Sequence, residues 1–135
     1  MPHPLSGSKG EAETPLHHAA WSGDLRKIRR LVRRGADVDV RDDTGETPLH
    51  GACAWGNASA VRLLLSLGAR HDVPGTNAMS PLHWAAGWGS VGTVRALLSA
   101  GANPNALDAH GNTPRQAAIA HGKERSVRWL SAHGA

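Results

Sequence analysis

Leu25, Ile28, Leu31 and Val32 follow helical spacing, and most positions between them are basic. This predicts an amphipathic helix from about Asp24 to Arg33, terminated by Gly35. A shorter segment precedes it, roughly His17 to Ser22, built around the small pair Ala19-Ala20 and ended by a left-handed turn at Gly23. Thr14-Pro15 reads as a helix start: the hydroxyl can cap free N–H groups, and proline suits the first helical position. After Gly35 the chain turns polar. The stretch "ADVDVRDDTGE" has Asp-rich turn chemistry and predicts an extended loop with a tight turn.

The whole pattern then recurs. "TPLHHAAWSG" at Thr14 becomes "TPLHGACAWG" at Thr47, "SPLHWAAGWG" at Ser80 and a frayed "TPRQAAIAHG" at Thr113, each 33 residues after the last. Gly23 returns as Gly56, Gly89 and Gly122, and Gly35-Ala36 returns as Gly68-Ala69, Gly101-Ala102 and Gly134-Ala135. One such helix pair cannot bury its own apolar stripe, whereas stacked pairs can, which predicts a linear array. The combination Thr-Pro-Leu-His, Ala-Ala, Gly, Val/Ile with Leu-Leu and Gly-Ala over 33 residues resembles the ankyrin repeat. The resemblance covers residues 14–135: three full repeats (14–46, 47–79, 80–112) and one that stops at its second helix (113–135). It implies an all-α solenoid of stacked helix pairs, with protruding β-hairpin-like loops and a concave recognition face. It also implies that the motif histidines His17, His50 and His83 are structural hydrogen-bonding residues.

Departures from the repeat carry further expectations. Arg115-Gln116 replace Leu-His in the last copy, and its second helix carries Lys123, Glu124, Arg125 and Arg128, as a polar end cap should. The second loop, "VPGTNAM", lacks the Asp and Gly of "DDTGE" and "DAHGN", so a distorted hairpin is expected there. Residues 1–13, rich in Pro, Gly, Ser and charge, read as a flexible tail.

Composition narrows the function class. The 135 residues include 15 Lys+Arg against 11 Asp+Glu, a mildly basic balance. No apolar run approaches the length of a membrane span, and the N-terminus has no apolar segment of signal-peptide length. A lone cysteine, Cys53, excludes an internal disulfide and fits a reducing compartment, so a cytoplasmic location is expected, with the nucleus left open. Cys53 stands at a small-residue position of a helix and is expected to be buried rather than nucleophilic. His17, His50 and His83 lie one repeat apart, and stacked helices about 10 Å apart cannot bring them to one metal ion. No catalytic triad, phosphate loop or Cys/His metal spacing appears, so neither enzyme activity nor a metal nor a cofactor is expected. "RKIRRLVRR", 26–34, places six basic residues on the outer faces of the second helix. No aromatic residue interleaves them, so a solvated cap is favoured. The alternative is a basic module binding nucleic acid or an acidic polymer through Arg26–Arg34.

The sequence has no Phe or Tyr, yet five Trp. Trp55 and Trp88 directly precede the helix-ending glycines of their repeats; Trp21 stands one place earlier, and His121 holds the equivalent place in the last copy. Ankyrin-like proteins use the exposed ends of first helices and the loop tips for partner contacts. The expected contact strip is therefore Trp21, Trp55, Trp88 and His121, with loop residues Asp43, Thr44, Glu46, Asn77, Met79, His110 and Asn112 along its rim. Trp84 has small equivalents, Gly51 and Ala117, and is expected to fill space between repeats. Trp129 is expected to close the C-terminal core beside Val127 and Leu130. These features point to a monomeric, non-catalytic module that binds another protein, as an adaptor or an inhibitor.

Overall fold

A computed structural model describes residues 14–133; the expectations for the 1–13 tail and for Gly134-Ala135 lie outside them. The described residues form eight α-helices in four pairs: α1 (Pro15–Ser22) with α2 (Leu25–Arg33), α3 (Pro48–Ala54) with α4 (Ala58–Ser66), α5 (Pro81–Gly87) with α6 (Val91–Ser99), and α7 (Pro114–Ala120) with α8 (Glu124–Ala132). One short 3₁₀ turn, Thr76–Ala78, lies between the second and third pairs. No strand occurs among the described residues.

Each inner helix starts for one local reason. The hydroxyls of Thr14, Thr47, Ser80 and Thr113 accept the backbone N–H three residues on, and the side chain there (His17, His50, His83 or Gln116) reaches back to the cap's own N–H. Proline follows the cap each time, so the helix begins at Pro15 and its equivalents, two residues before the expected His17. α1 ends at Gly23 with φ 72°, a left-handed conformation that suits glycine.

The inner helices α1, α3, α5 and α7 pack in sequence, and so do the outer helices α2, α4, α6 and α8. Between the layers lies one apolar core in repeat register, with Leu16, Leu49 and Leu82 on the inner helices. Ile28, Val61 and Val94 face them from the outer ones. The last pair differs. Ala20, Cys53 and Ala86 are fully buried, but their equivalent Ile119 is 52% exposed. The expected charged residues Glu124, Arg125 and Arg128 are exposed on α8, so the end of the stack is charged on one helix and apolar beside it.

Two packing expectations have different outcomes. Trp84 is buried, 4% exposed, as a packing role requires, although the space beside Gly51 is filled by Trp21: a Cβ there would collide with Nε1 and Cδ1 of that indole. Trp129 does not close the core. Adjacent helical residues point about 100° apart, so Leu130 takes the buried place while Trp129 lies half-buried on the outer surface under the Arg95 guanidinium.

Candidate partner-binding surface

The motif histidines tie each repeat to the next loop. Nε2 of His17, His50 and His83 lies 2.8, 2.9 and 2.8 Å from the carbonyl oxygens of Glu46, Val73 and Asn112. Nδ1 of the same rings accepts the backbone N–H of Thr14, Thr47 and Ser80. A carbonyl only accepts and an N–H only donates, so each ring carries its hydrogen on Nε2 and leaves Nδ1 bare. All three rings are fully buried with both nitrogens committed. Among the described residues no cluster of three or more His, Cys, Asp or Glu side chains could hold a metal.

These tethers hold three loop tips against one another. The first and third tips are Asx turns. Asp42 Oδ1 accepts from the N–H groups of Thr44 and Glu46, and Asp108 Oδ1 from those of His110 and Asn112. The equivalent of these aspartates in the second loop is Gly75, and that tip is distorted: Asn77 and Ala78 have φ 55° and 56°. Glu46 supplies the missing carboxylate from the preceding loop. Its Oε1 accepts the Thr76 N–H at 2.7 Å, and a Cβ on Gly75 would collide with the carboxylate group. The tips are also linked directly, by Thr76 Oγ1 donating to the Thr44 carbonyl and Ala109 N–H donating to the Asn77 carbonyl. Asp43, Thr44, Asn77, His110 and Asn112 are exposed along this rim. Glu46 and Met79 are buried and do not belong to it, contrary to expectation: Glu46 is drawn inward to serve Thr76, and Met79 joins the apolar core. Leu107, 62% exposed beside the third tip, is a rim residue that sequence reasoning passed over. Its signal was an apolar residue where the other copies have Arg41 and Pro74.

Burial of Glu46 has a pH consequence. Desolvation raises its carboxyl from 4.5 to about 7, against the opposing Thr76 hydrogen bonds and with help from the Asp42 charge. Its Oε2 stands 3.5 Å from His50 Nδ1. Desolvation lowers His50 from 6.5 to about 4, although the Val73 and Met79 backbone bonds and Asp42 favour the charged ring; Arg41 opposes it. The Glu46 contribution to stability is therefore full below pH 4.5 and lost as pH rises to about 7. The His50 contribution is present above pH 6.5 and lost as pH falls to about 4. The slopes oppose one another from 4.5 to 6.5, and only the Glu46 slope remains from 6.5 to about 7. Urea midpoints over that last interval should fall in the native protein and stay level in Glu46→Gln, which keeps the acceptor for Thr76. An equal fall in both would show that Glu46 is not the group responsible.

The inner helices are only about 10 Å long, so their C-terminal ends form a second row parallel to the loop rim. Trp55, the residue after α3, is 42% exposed. Trp88, after α5, is half-buried in an aromatic stack: its ring centroid lies 4.6 Å from that of Trp84 and 4.1 Å from that of the exposed His121. Trp21 is half-buried over Gly51 and meets the His18 ring edge-on at 5.1 Å. The row thus has one exposed indole, Trp55, and partly covered rings at Trp21 and Trp88.

Two other candidates stand elsewhere in the repeats. Cys53 is fully buried and desolvation pushes its thiol pKa up, so it is held as the unreactive thiol. Arg26, Arg29, Arg30, Arg33 and Arg34 are exposed on or beside α2, away from the core stripe as expected. Among the described residues no helix is long and apolar enough to cross a membrane.

A family model described as ankyrin repeats (3 copies) matches residues 3–75 and 68–135. No curated protein matches the chain at a significant level.

Proposed function

Because the chain belongs to the ankyrin repeat family, whose repeats are generally protein–protein interaction modules and typically non-catalytic, we propose that it binds another protein through the tryptophan row and the loop rim beside it. The observation that supports this most is Trp55. It is 42% exposed just past α3, a helix whose residues are all buried. An exposed indole has a solvation cost that a partner would relieve, and Trp is enriched at interface hot spots. Trp88 and His121 continue the row on the C-terminal side, and the exposed rim residues Asp43, Thr44, Asn77, His110 and Asn112 supply polar contacts around it. The protein acts as a cytoplasmic monomer, by linking its partner to another protein or by covering the partner's own site.

The test is capture from a cytosolic extract with the native protein and with Trp55→Ala, followed by mass spectrometry and titration of the protein captured. The substitution should weaken that partner by about 2 kcal/mol, on the hot-spot scale, with little change in melting temperature. Unchanged affinity for every captured protein would remove Trp55 and the row built on it from the contact surface.

A further inference from the structure

The outer helices carry a charge pattern that the proposed contact leaves unused. Arg29, Arg62, Arg95 and Arg128 follow one another at 33-residue steps. Each lies on the second helix of its pair, and each is exposed. Since α2, α4, α6 and α8 pack side by side, equivalent positions form one line. Neighbouring helices about 10 Å apart put its ends about 30 Å apart. Arg26, Arg30 and Arg33 thicken the row at α2, where they border a shallow depression with Arg29.

The row has one sign. Its four helices contain a single acidic residue, Glu124, which makes an exposed 3.8 Å pair with Arg128. No carboxylate among the described residues pairs with Arg29, Arg62 or Arg95. Arg62 donates to Ser59 Oγ at 3.4 Å, and Arg95 rests 5.6 Å above the Trp129 ring. Most other acids stand on the loops, Asp42, Asp43, Asp72 and Asp108 among them. Acidic charge is thus nearly absent from the outer helices and stands mostly on the loops, which also hold Arg41 and Arg70.

We propose that this row is a second docking surface, and that its occupant is an extended acidic segment of a partner protein with a carboxylate at every third residue. The spacing supports that occupant. A polyproline-type chain turns once every three residues and rises about 3.1 Å per residue, so every third side chain faces the same way about 9 Å further on. That interval matches the step between repeats. Arginine suits the role because its planar fork can hold a carboxylate through two parallel hydrogen bonds. A duplex nucleic acid fits less well. It carries one charge per about 1.7 Å, far denser than one arginine per repeat. Trp129, the indole on α8, already carries the Arg95 guanidinium over its ring, so a base stacking on that face would have to displace it.

The probe is a fluorescent peptide of four Glu-Pro-Pro units, which proline holds in the extended form; its control has the same composition with the glutamates contiguous. Anisotropy titration at low salt should show the spaced peptide binding more tightly than the control. The double variant Arg62→Ser/Arg95→Ser should weaken the spaced peptide about tenfold, as expected for two exposed pairs, with an unchanged circular dichroism spectrum. Trp55→Ala should bind the peptide like the native protein, so failure here is separate from failure of the tryptophan surface. Absence of binding, equal binding of the two peptides, or indifference to the double substitution would overturn the proposal. Tighter binding of a short DNA duplex through the same arginines would also overturn it, in favour of a nucleic-acid surface.

Discussion

Trp84→Ala is expected to destabilise the protein by about 3–5 kcal/mol, the range for emptying a large core site. Trp84 is 4% exposed on α5, the inner helix that packs against both α3 and α7. Its ring supports Trp88, which in turn supports His121 on the last repeat. Removing it opens a cavity at the centre of the array and leaves two further rings without backing. Array stability depends on interfaces between neighbouring repeats, so the loss would fall on the cooperative unit and not on one helix. Trp84→Phe separates packing from polarity. The Trp84 Nε1 is buried with no hydrogen-bond partner among the described residues, and phenylalanine keeps an aromatic ring while removing that orphan donor. It should cost less than half as much as alanine, since an unsatisfied buried donor is itself unfavourable by about 1–3 kcal/mol. Urea unfolding followed by circular dichroism measures both. An alanine cost below about 1 kcal/mol would place the ring at the surface.

The repeat array was legible because its determinants are local and recur. Thr-Pro at the cap, the N3 histidine, the small pair and the terminal glycine each act within one helix, and the 33-residue step then orders the stack. The features that escaped depend on pairs of residues in different repeats. Glu46 looked like a rim residue because it ends a polar loop; its burial is decided by Gly75, where a missing aspartate leaves both a vacant acceptor role and the room to fill it. Gly51, the small equivalent of Trp84, accommodates Trp21 from the preceding repeat. Trp129 and Leu130 are neighbours in sequence, but one helical step separates the outer surface from the core. The exposure of Ile119 could have been read from register, since Ala20, Cys53 and Ala86 show what the next repeat would cover. The arginine row also lies in plain register, although one residue per repeat gives little local signal beside the dense run at 26–34.

Gly89→Ala is expected to cost about 3 kcal/mol or more, at the upper end for forcing atoms into a filled site. The helix-ending glycines look equivalent in sequence but answer different demands. Gly23, Gly56 and Gly122 have φ of 72°, 73° and 66° and are glycine for conformation. Gly89 is not among the positive-φ glycines. It is glycine for space: a Cβ there would collide with the backbone carbonyl of Cys53 in the preceding repeat and stand 2.8 Å from the Ala85 carbonyl oxygen. A carbonyl cannot rotate aside as a side chain can, and this one accepts the Gly56 N–H at 3.1 Å that closes the end of α3. Relief therefore requires the ends of α3 and α5 to separate, which would disturb Trp55 and Trp88 together. Gly122→Ala is the matched control. No atom lies within 4 Å of a Cβ built there, so its cost is only that of a left-handed non-glycine residue, about 1–2 kcal/mol. Unfolding of both variants in urea should rank Gly89→Ala as clearly the worse, with weakened capture of the Trp55-dependent partner in that variant alone. Equal costs would mean that the two helix ends do not approach so closely, and that the tryptophan row is not held by their contact.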